Sequence, residues 1–405
     1  MDRGTLRLKR HEERRLRGGH LWIYSNEVDS SLTPLRQFHP GEQATVEDHT
    51  GKRLGTAYVN PASLICARLI SRDSRYLDQD LLVHRLKRAL SLRQRLFTAP
   101  CYRLVYGESD LLPGLVVDRY GPHLSVQLNT AGMAAVQSAV IDALRRVVGP
   151  ESILLRNDSS TRVLEGLPQE VVIGYGRPPE EVELEENGVR FIAPLHSGQK
   201  TGWFYDQRLN RAWLKDWVAG KRLLDVFSYT GGFAVQGAVF GARRVQAVDS
   251  SRAALTMAEK NARLNGVADR FSGLQGDAFA VLRGLKEAGE SYDLIVVDPP
   301  AFIKRRKDHR EGLRAYRRIT EAAMQLLAPE GYLLAASCSM HLQRAELLDV
   351  LRGAGQSLGR QVQVLARGGQ GPDHPIHPAI AETDYLKAFF SRVWHEEPEQ
   401  PLAPA

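Results

Sequence analysis

Between residue 5 and about residue 72, apolar positions come in short runs cut by turn signals. Phe38-His-Pro-Gly41 leads into a run ending at Val46, Asp48-His-Thr-Gly51-Lys52 into Leu54–Val59, and Asn60-Pro61 precedes Leu64–Ile70. Short runs bounded by Gly, Pro, Asn and Asp predict the strands of a small β-barrel. The period then changes. Leu81, Leu82, Leu86, Leu90 and Leu96 form an apolar stripe that predicts a helix over 78–97. From Tyr102 to about Ile173 the pattern is strand, strand, helix, strand, with Leu115–Gly121 and His123–Leu128 as a hairpin, a helix over 134–148 and a strand over 152–156. Beyond about 188, strands alternate with helices, the rhythm of a parallel sheet. Strands are expected near 222–227, 244–249, 271–275, 292–298, 331–337, 361–366 and 385–393, and helices at 252–265, 311–328 and 343–354. The fold class is α/β, a doubly wound and mostly parallel sheet preceded by a small β-barrel and a central α+β domain. The expected boundaries are 1–75, 76–180 and 181–395, with a Pro- and Glu-rich tail, 396–405, expected to be disordered.

Composition narrows the class. The chain has 405 residues, 43% hydrophobic and 25% charged, as in a water-soluble protein of two or three domains. A net charge of +7 is compatible with a polyanionic partner without requiring one. Cys66, Cys101 and Cys338 are far apart and lack metal-ligand spacing, so neither a disulfide framework nor a metal centre is expected. The charged N-terminus lacks a signal-peptide core, and no apolar run reaches the roughly 20 residues of a membrane span. The expected location is the cytoplasm, away from membranes. Pro178-Pro179 followed by Glu180, Glu181, Glu183, Glu185 and Glu186 marks a boundary or an exposed turn, and the acidic run reads as a solvated surface. His374 and His377 read as parts of a proline-rich loop.

Candidate chemistry sits at the predicted strand ends. Leu223-Leu-Asp225-Val-Phe-Ser-Tyr-Thr-Gly231-Gly232 is a strand, a glycine turn and a helix start, where backbone can approach a ligand closely. The Gly-x-Gly-x-x-Gly fingerprint of dinucleotide enzymes is not met. Asp249, 24 residues beyond Asp225, ends the next strand and can accept hydrogen bonds from ribose hydroxyls. Asp277 follows the third strand and could accept from an adenine amine. Three acidic residues at successive strand ends fit S-adenosylmethionine better than a dinucleotide. Further along, Asp298-Pro299-Pro300 ends one strand and Cys338 the next. A thiol and a carboxylate opening on one crevice point to covalent attack on a substrate. The alternative for Cys338 is a small buried residue, the reading that fits Cys66 and Cys101.

These segments resemble the class I methyltransferases of the RlmI type, which make 5-methylcytidine in large-subunit ribosomal RNA. The resemblance rests on Asp225–Phe233, Asp298-Pro-Pro-Ala-Phe302 and Ser337-Cys338-Ser339. It extends through Lys9-Arg10-His11-Glu12, Gly19–Ser25, Gly107–Leu115, Gly198–Gly202 and Asp206-Gln207-Arg208, almost the whole chain. It implies an N-terminal PUA RNA-binding barrel and a catalytic domain that begins with a β-hairpin. It implies Cys338 as nucleophile and Asp298 as the group holding cytosine. The candidate cofactor contacts are Asp225, Phe227, Ser228, Tyr229, Thr230, Gly231, Asp249, Asp277 and Pro299. Pro300, Phe302, Lys304, Arg305, Arg306, Lys200 and Arg208 are candidates for substrate binding.

Three basic clusters suit phosphate contacts, of which 304–318 is the favoured one. It holds eight Lys and Arg against Asp308 and Glu311, directly after Asp-Pro-Pro. The others span His84–Arg95 and Arg3–Arg17. The expected partner is 23S ribosomal RNA, or the assembling large subunit, with oligomeric state open and a homodimer among the options. Two alternatives stand: an RNA purine or amino-nitrogen methyltransferase on this scaffold, which needs no cysteine, and a non-catalytic RNA-binding assembly factor.

Overall fold

A computed structural model describes residues 4–395, so the tail expected to be disordered lies outside the described residues. Contacts divide the chain into two compact units. The first holds residues up to 185 together with 193–205 and 371–383. The second holds 186–192, 206–370 and 384 onward.

In the first unit, five strands pair in the order Thr5–Arg7, Gln43–Glu47, Arg53–Val59, Ala67–Ser71, Trp22–Ile23. Leu6, Val46, Ala57 and Leu69 turn inward from alternate positions and pack with Ile380. A second five-stranded sheet runs Glu170–Gly176, Ser152–Asn157, His123–Leu128, Leu115–Tyr120, Cys101–Tyr106. The helix Gln79–Leu96 lays the stripe of Leu82 and Leu86 into a core shared with Val117 and Val126 of this sheet. Segment 371–383 belongs to this unit: buried Asp373 accepts from the Arg103 backbone N–H at 3.0 Å, and its carbonyl accepts from Arg93 at 2.8 Å.

The second unit contains a seven-stranded sheet. Its strands are β1 (Arg222–Val226), β2 (Arg244–Asp249), β3 (Phe271–Gln275), β4 (Tyr292–Val297), β5 (Leu327–Ser337), β6 (Arg360–Gly368) and β7 (Lys387–His395). Helices α1 (Gly232–Val239), α2 (Arg252–Leu264), α3 (Ala278–Glu287), α4 (His309–Gln325) and α5 (Arg344–Ser357) connect them. The order is β3-β2-β1-β4-β5-β7-β6, with the first five strands parallel and β7 antiparallel to both neighbours. Leu223, Leu224 and Val226 of β1 and Leu294–Val297 of β4 are buried on both faces, which is why these strands read as unbroken apolar runs. The chain leaves β1 toward β2 and β3, then returns to β4 on the other side. That reversal opens a crevice at the carboxyl ends of β1 and β4.

The acidic run is solvated at Glu180, Glu181, Glu183 and Glu185, and a division between the units falls at 185/186, but the run is not a turn. Glu181–Glu186 is a strand paired with Val189–Pro194, and its burial alternates so that Glu186 is buried. Glu186 is fully buried in the second unit, 2.7 Å from Arg211 and 3.6 Å from Arg208. Charge count gave no sign of this, because the alternation lies in valine and leucine at every second position.

Candidate active site

The loop after β1 is held by its own aspartate. Asp225 accepts from the Ser228 hydroxyl at 2.6 Å and the Ala234 backbone N–H at 3.0 Å, closing the turn onto the start of α1. Phe227 (φ 67°) and Tyr229 (φ 50°) both adopt the left-handed region, a strained conformation typical of functional loops. Gly231 (φ 85°) has a steric need as well, since an added Cβ would lie 2.9 Å from the Ala258 side chain. Asn261 of α2 braces the loop by donating to the Thr230 carbonyl at 3.1 Å. Asp249 accepts from the backbone N–H groups of Tyr229 (2.9 Å) and Ser251 (2.8 Å) while staying partly exposed. Asp277 is exposed and caps α3 through the Ala280 N–H at 3.1 Å.

A nucleoside cofactor fits these residues. Asp225 Oδ1 and Thr230 Oγ1 are buried polar atoms with no partner inside the protein, the kind of group a ligand satisfies. Asp249 retains lone pairs at a solvent-facing edge, as ribose hydroxyls require.

Asp298 lies at the end of β4, beside β1. Burial pushes its carboxyl up to about 7. Asp206 adds to the rise, Arg211 opposes it, Asp225 adds again, and a hydrogen bond from Gln207 opposes. Asp298 nevertheless keeps part of its surface open, as expected at the floor of a crevice. Burial likewise raises Asp225 to about 6, against the Ser228 and Ala234 bonds and Arg211, with Asp249 adding to the rise. Asp206 also accepts from the Tyr385 hydroxyl.

The Asp-Pro-Pro-Ala-Phe loop is tied to the end of β5. The Ile303 N–H donates to Ser339 Oγ at 3.2 Å, and Tyr316 of α4 links Ser337 (2.7 Å) and Ser339 (2.8 Å) through its hydroxyl. The Phe302 ring lies 4.9 Å from Tyr316 and 6.3 Å, edge-on, from Phe227. Cys338 sits between those serines, half-buried, while Cys66 and Cys101 are buried in the first unit. Opposite Ser337, on β7, stands Lys387, whose Nζ donates to the carbonyls of Ser339 (2.8 Å) and Tyr385 (2.9 Å). Burial lowers Lys387 to about 8, against the charges of Asp384, Cys338 and Glu346 and together with Arg344.

The structure thus gathers Asp225, Phe227, Ser228, Tyr229, Thr230, Gly231, Asp249, Asp298, Phe302 and Cys338 in one unit, at adjoining strand ends. Lys304, Arg305 and Arg306 follow Pro299, Pro300 and Phe302 on the same loop, with exposed heads. Lys200 belongs to the first unit, where its ammonium lies 4.9 Å from the Phe204 ring centroid. Arg208 is buried against Glu186. Lys387, Arg211 and Tyr316 are missed by the sequence reading. Lys387 alone left a signal, as a single charge inside the apolar run Tyr385–Phe390.

Fold and strand-end loops together define an S-adenosylmethionine-dependent methyltransferase. A family model with that description matches residues 167–379, and a PUA-like domain model matches 6–72. The chain is 38% identical over 393 residues to the ribosomal RNA large subunit methyltransferase I of Erwinia tasmaniensis, across 95% of this chain and 98% of the relative. The protein of the same name from Tolumonas auensis is 37% identical over 398 residues, covering 96% and 99%. The chain belongs to this ribosomal RNA large subunit methyltransferase I family. Among solved structures, a Streptococcus mutans methyltransferase matches with a TM-score of 0.82 at 20% identity, over 96% of this chain and all of its own. A methyltransferase solved with SAH gives 0.82 at 21%, with the same coverage. At such identities these two speak to the fold. No helix among the described residues is long and apolar enough to cross a membrane.

Proposed function

We propose that the protein methylates carbon 5 of a cytidine in 23S ribosomal RNA, naked or in the assembling large subunit, through a covalent bond from Cys338 to carbon 6 of the base. The observation that carries this reading is the placement of a half-buried thiol and an uncharged-leaning carboxyl, Cys338 and Asp298, at the ends of neighbouring strands β5 and β4. Carbon 5 of cytosine is a poor nucleophile. Addition of the Cys338 thiolate to carbon 6 turns the ring into an enamine whose carbon 5 can accept a methyl group. S-adenosylmethionine, when bound, supplies that methyl from its sulfonium. Asp298, with its carboxyl near 7, holds a proton at neutral pH that it can donate to the ring nitrogen, while its other oxygen accepts from the cytosine amine. Loss of the carbon 5 proton then expels the thiolate, and the ring nitrogen returns its proton to Asp298.

In the same reading Asp249 accepts from the ribose hydroxyls, Asp277 faces the adenine and Pro299 shapes the cofactor slot. Phe227, Ser228, Tyr229, Thr230 and Gly231 wrap the cofactor with backbone. Pro300 and Phe302 wall the base, and Lys304, Arg305 and Arg306 reach phosphates. Arg208, held by Glu186, acts by position rather than by contact. A three-part division at about 75 and 180 and a cytoplasmic location belong to the proposal as well. The test is direct. Purified protein is incubated with unmodified ribosomal RNA and methyl-labelled S-adenosylmethionine, and the labelled nucleoside is identified by mass spectrometry. Label in 5-methylcytidine, abolished by Cys338→Ala, is the expected result. Label in a methylated purine, or full activity in Cys338→Ala, removes the thiol mechanism.

A further inference from the structure

The mechanism requires a thiolate, and an ordinary cysteine is mostly protonated at neutral pH. The β5–β7 pairing sets Lys387 opposite Ser337, next to the nucleophile. Its side chain is 5% exposed, and two of its three N–H donors end on the carbonyls of Ser339 and Tyr385. No ion pair among the described residues includes it. A buried ammonium hydrogen-bonded to carbonyls alone keeps one donor unused, and the charges acting on it are Asp384 first and then Cys338. We propose that Lys387 is the positioning residue whose ammonium stabilises Cys338 as a thiolate, both before it adds to the base and when it is expelled. This rests on the covalent reading of Cys338.

The charges around Lys387 agree with that role. Asp384 precedes β7, Arg344 and Glu346 come from α5, and Cys338 itself raises the lysine's proton affinity, all against the burial that lowers it to about 8. Glu346 is engaged by His309 at 2.9 Å, and Arg344 by the Gly368 carbonyl at 2.7 Å. Burial raises the Tyr316 hydroxyl of α4, against its bonds to Ser337 and Ser339, and Cys338 adds to the rise. In the step itself the Cys338 proton leaves to solvent and the sulfur lone pair forms the S–C6 bond. The C5=C6 electron pair moves to carbon 5, which takes the methyl group. Solvent then removes the carbon 5 proton, the C5=C6 bond re-forms, and the S–C6 pair returns to sulfur, which in this proposal the Lys387 ammonium stabilises. The help is greatest while Lys387 is charged and the thiol is not yet ionised by itself, below about pH 8.

The test uses the full chain without RNA. Iodoacetamide alkylation of Cys338 is followed by peptide mass spectrometry from pH 6 to 10 in the wild type, Lys387→Met and Lys387→Arg. Lys387→Met is expected to alkylate about ten-fold more slowly at pH 7, with the gap closing by about pH 9.5, and Lys387→Arg to recover most of the rate. Calorimetric S-adenosylmethionine affinity should stay unchanged. Lys387→Gln carries the comparison if the apolar variant loses its fold. A charge-free variant whose alkylation profile overlays the wild type overturns the proposal. The readout is independent of methyl transfer: a Cys338→Ala protein that still methylates RNA sinks the covalent mechanism, while the alkylation series judges Lys387 alone.

Discussion

Asp298 shows how one residue can be costly to the fold and, in the proposed mechanism, useful to the chemistry. Its carboxyl rises from an ordinary 3.8 to about 7, chiefly by burial. The folded state therefore binds this proton more tightly than the unfolded chain, and stability falls as pH climbs from about 4 through about 7, then levels. Asp298→Asn removes that dependence. The variant should be more stable than the wild type at pH 8, by roughly 2–4 kcal/mol, and indistinguishable near pH 4, as read from melting curves. Methyl transfer should fall by about 10²-fold with cofactor affinity kept, because the amide cannot give up a proton. An unchanged pH-stability profile would show that the carboxyl is not held near 7. Asp298 and Cys338 were legible in the sequence because each ends an apolar strand. Lys387 left only a lone charge in an apolar run, because it lies 49 residues from Cys338 and comes opposite Ser337 only through antiparallel pairing.

At the scale of elements, two short structures decide the shape of the site. The β1 turn follows from its residues: an aspartate to tie the loop, a glycine where a Cβ would strike Ala258, and a helix that starts at once. The strand Glu181–Glu186 did not follow. Composition read five glutamates as solvent-facing, whereas Glu186 is the buried anion between Arg208 and Arg211, and it accepts from Gln236 at 3.0 Å. Arg211 in turn helps restrain the carboxyls of Asp298 and Asp225. Glu186→Ala leaves two guanidinium groups without their buried anion and should destabilise the protein by about 3–5 kcal/mol. A loss below about 1 kcal/mol in denaturant titration would return the acidic run to a surface role.

For the molecule as a whole, the three basic clusters separate by what their heads touch. In Arg3–Arg17, Arg7 pairs with Glu47, Arg15 with Glu27 and Arg17 with Asp48. In His84–Arg95, Arg93 is fully buried against Asp110, and Arg85 donates to the carbonyls of Ile70 and Leu111. In 304–318 all eight cationic residues are exposed, since Gly312, Tyr316 and Ile319 turn the other face of α4 inward. Arg305 shares Asp308 and Arg317 shares Glu321, pairs too exposed to neutralise the run. RNA affinity should fall steeply with salt. Replacing Lys304, Arg305, Arg306 and Lys307 by Gln should flatten the log–log slope by roughly 3, at about 0.7 per phosphate contact on single-stranded RNA. Fluorescence anisotropy over a salt series reads this, and an unaltered slope would put the phosphates elsewhere.

The sequence by itself determined the elements and the chemistry attached to them. Strand period, helical stripe, glycine turn and strand-end acids are local properties, fixed by neighbours a few positions apart, and they marked the parallel sheet, the candidate cofactor loop and the candidate nucleophile. Only the tertiary structure decided which charges are buried and which partners they meet. Burial and cross-strand pairing join residues far apart in the chain, as Glu186 joins Arg211 and Lys387 joins the Ser339 carbonyl, and no local pattern encodes them. The reversal of strand order between β1 and β4 is of the same kind: it sets Asp225 and Asp298 at neighbouring strand ends, where burial raises both carboxyls and Asp225 adds to the rise of Asp298.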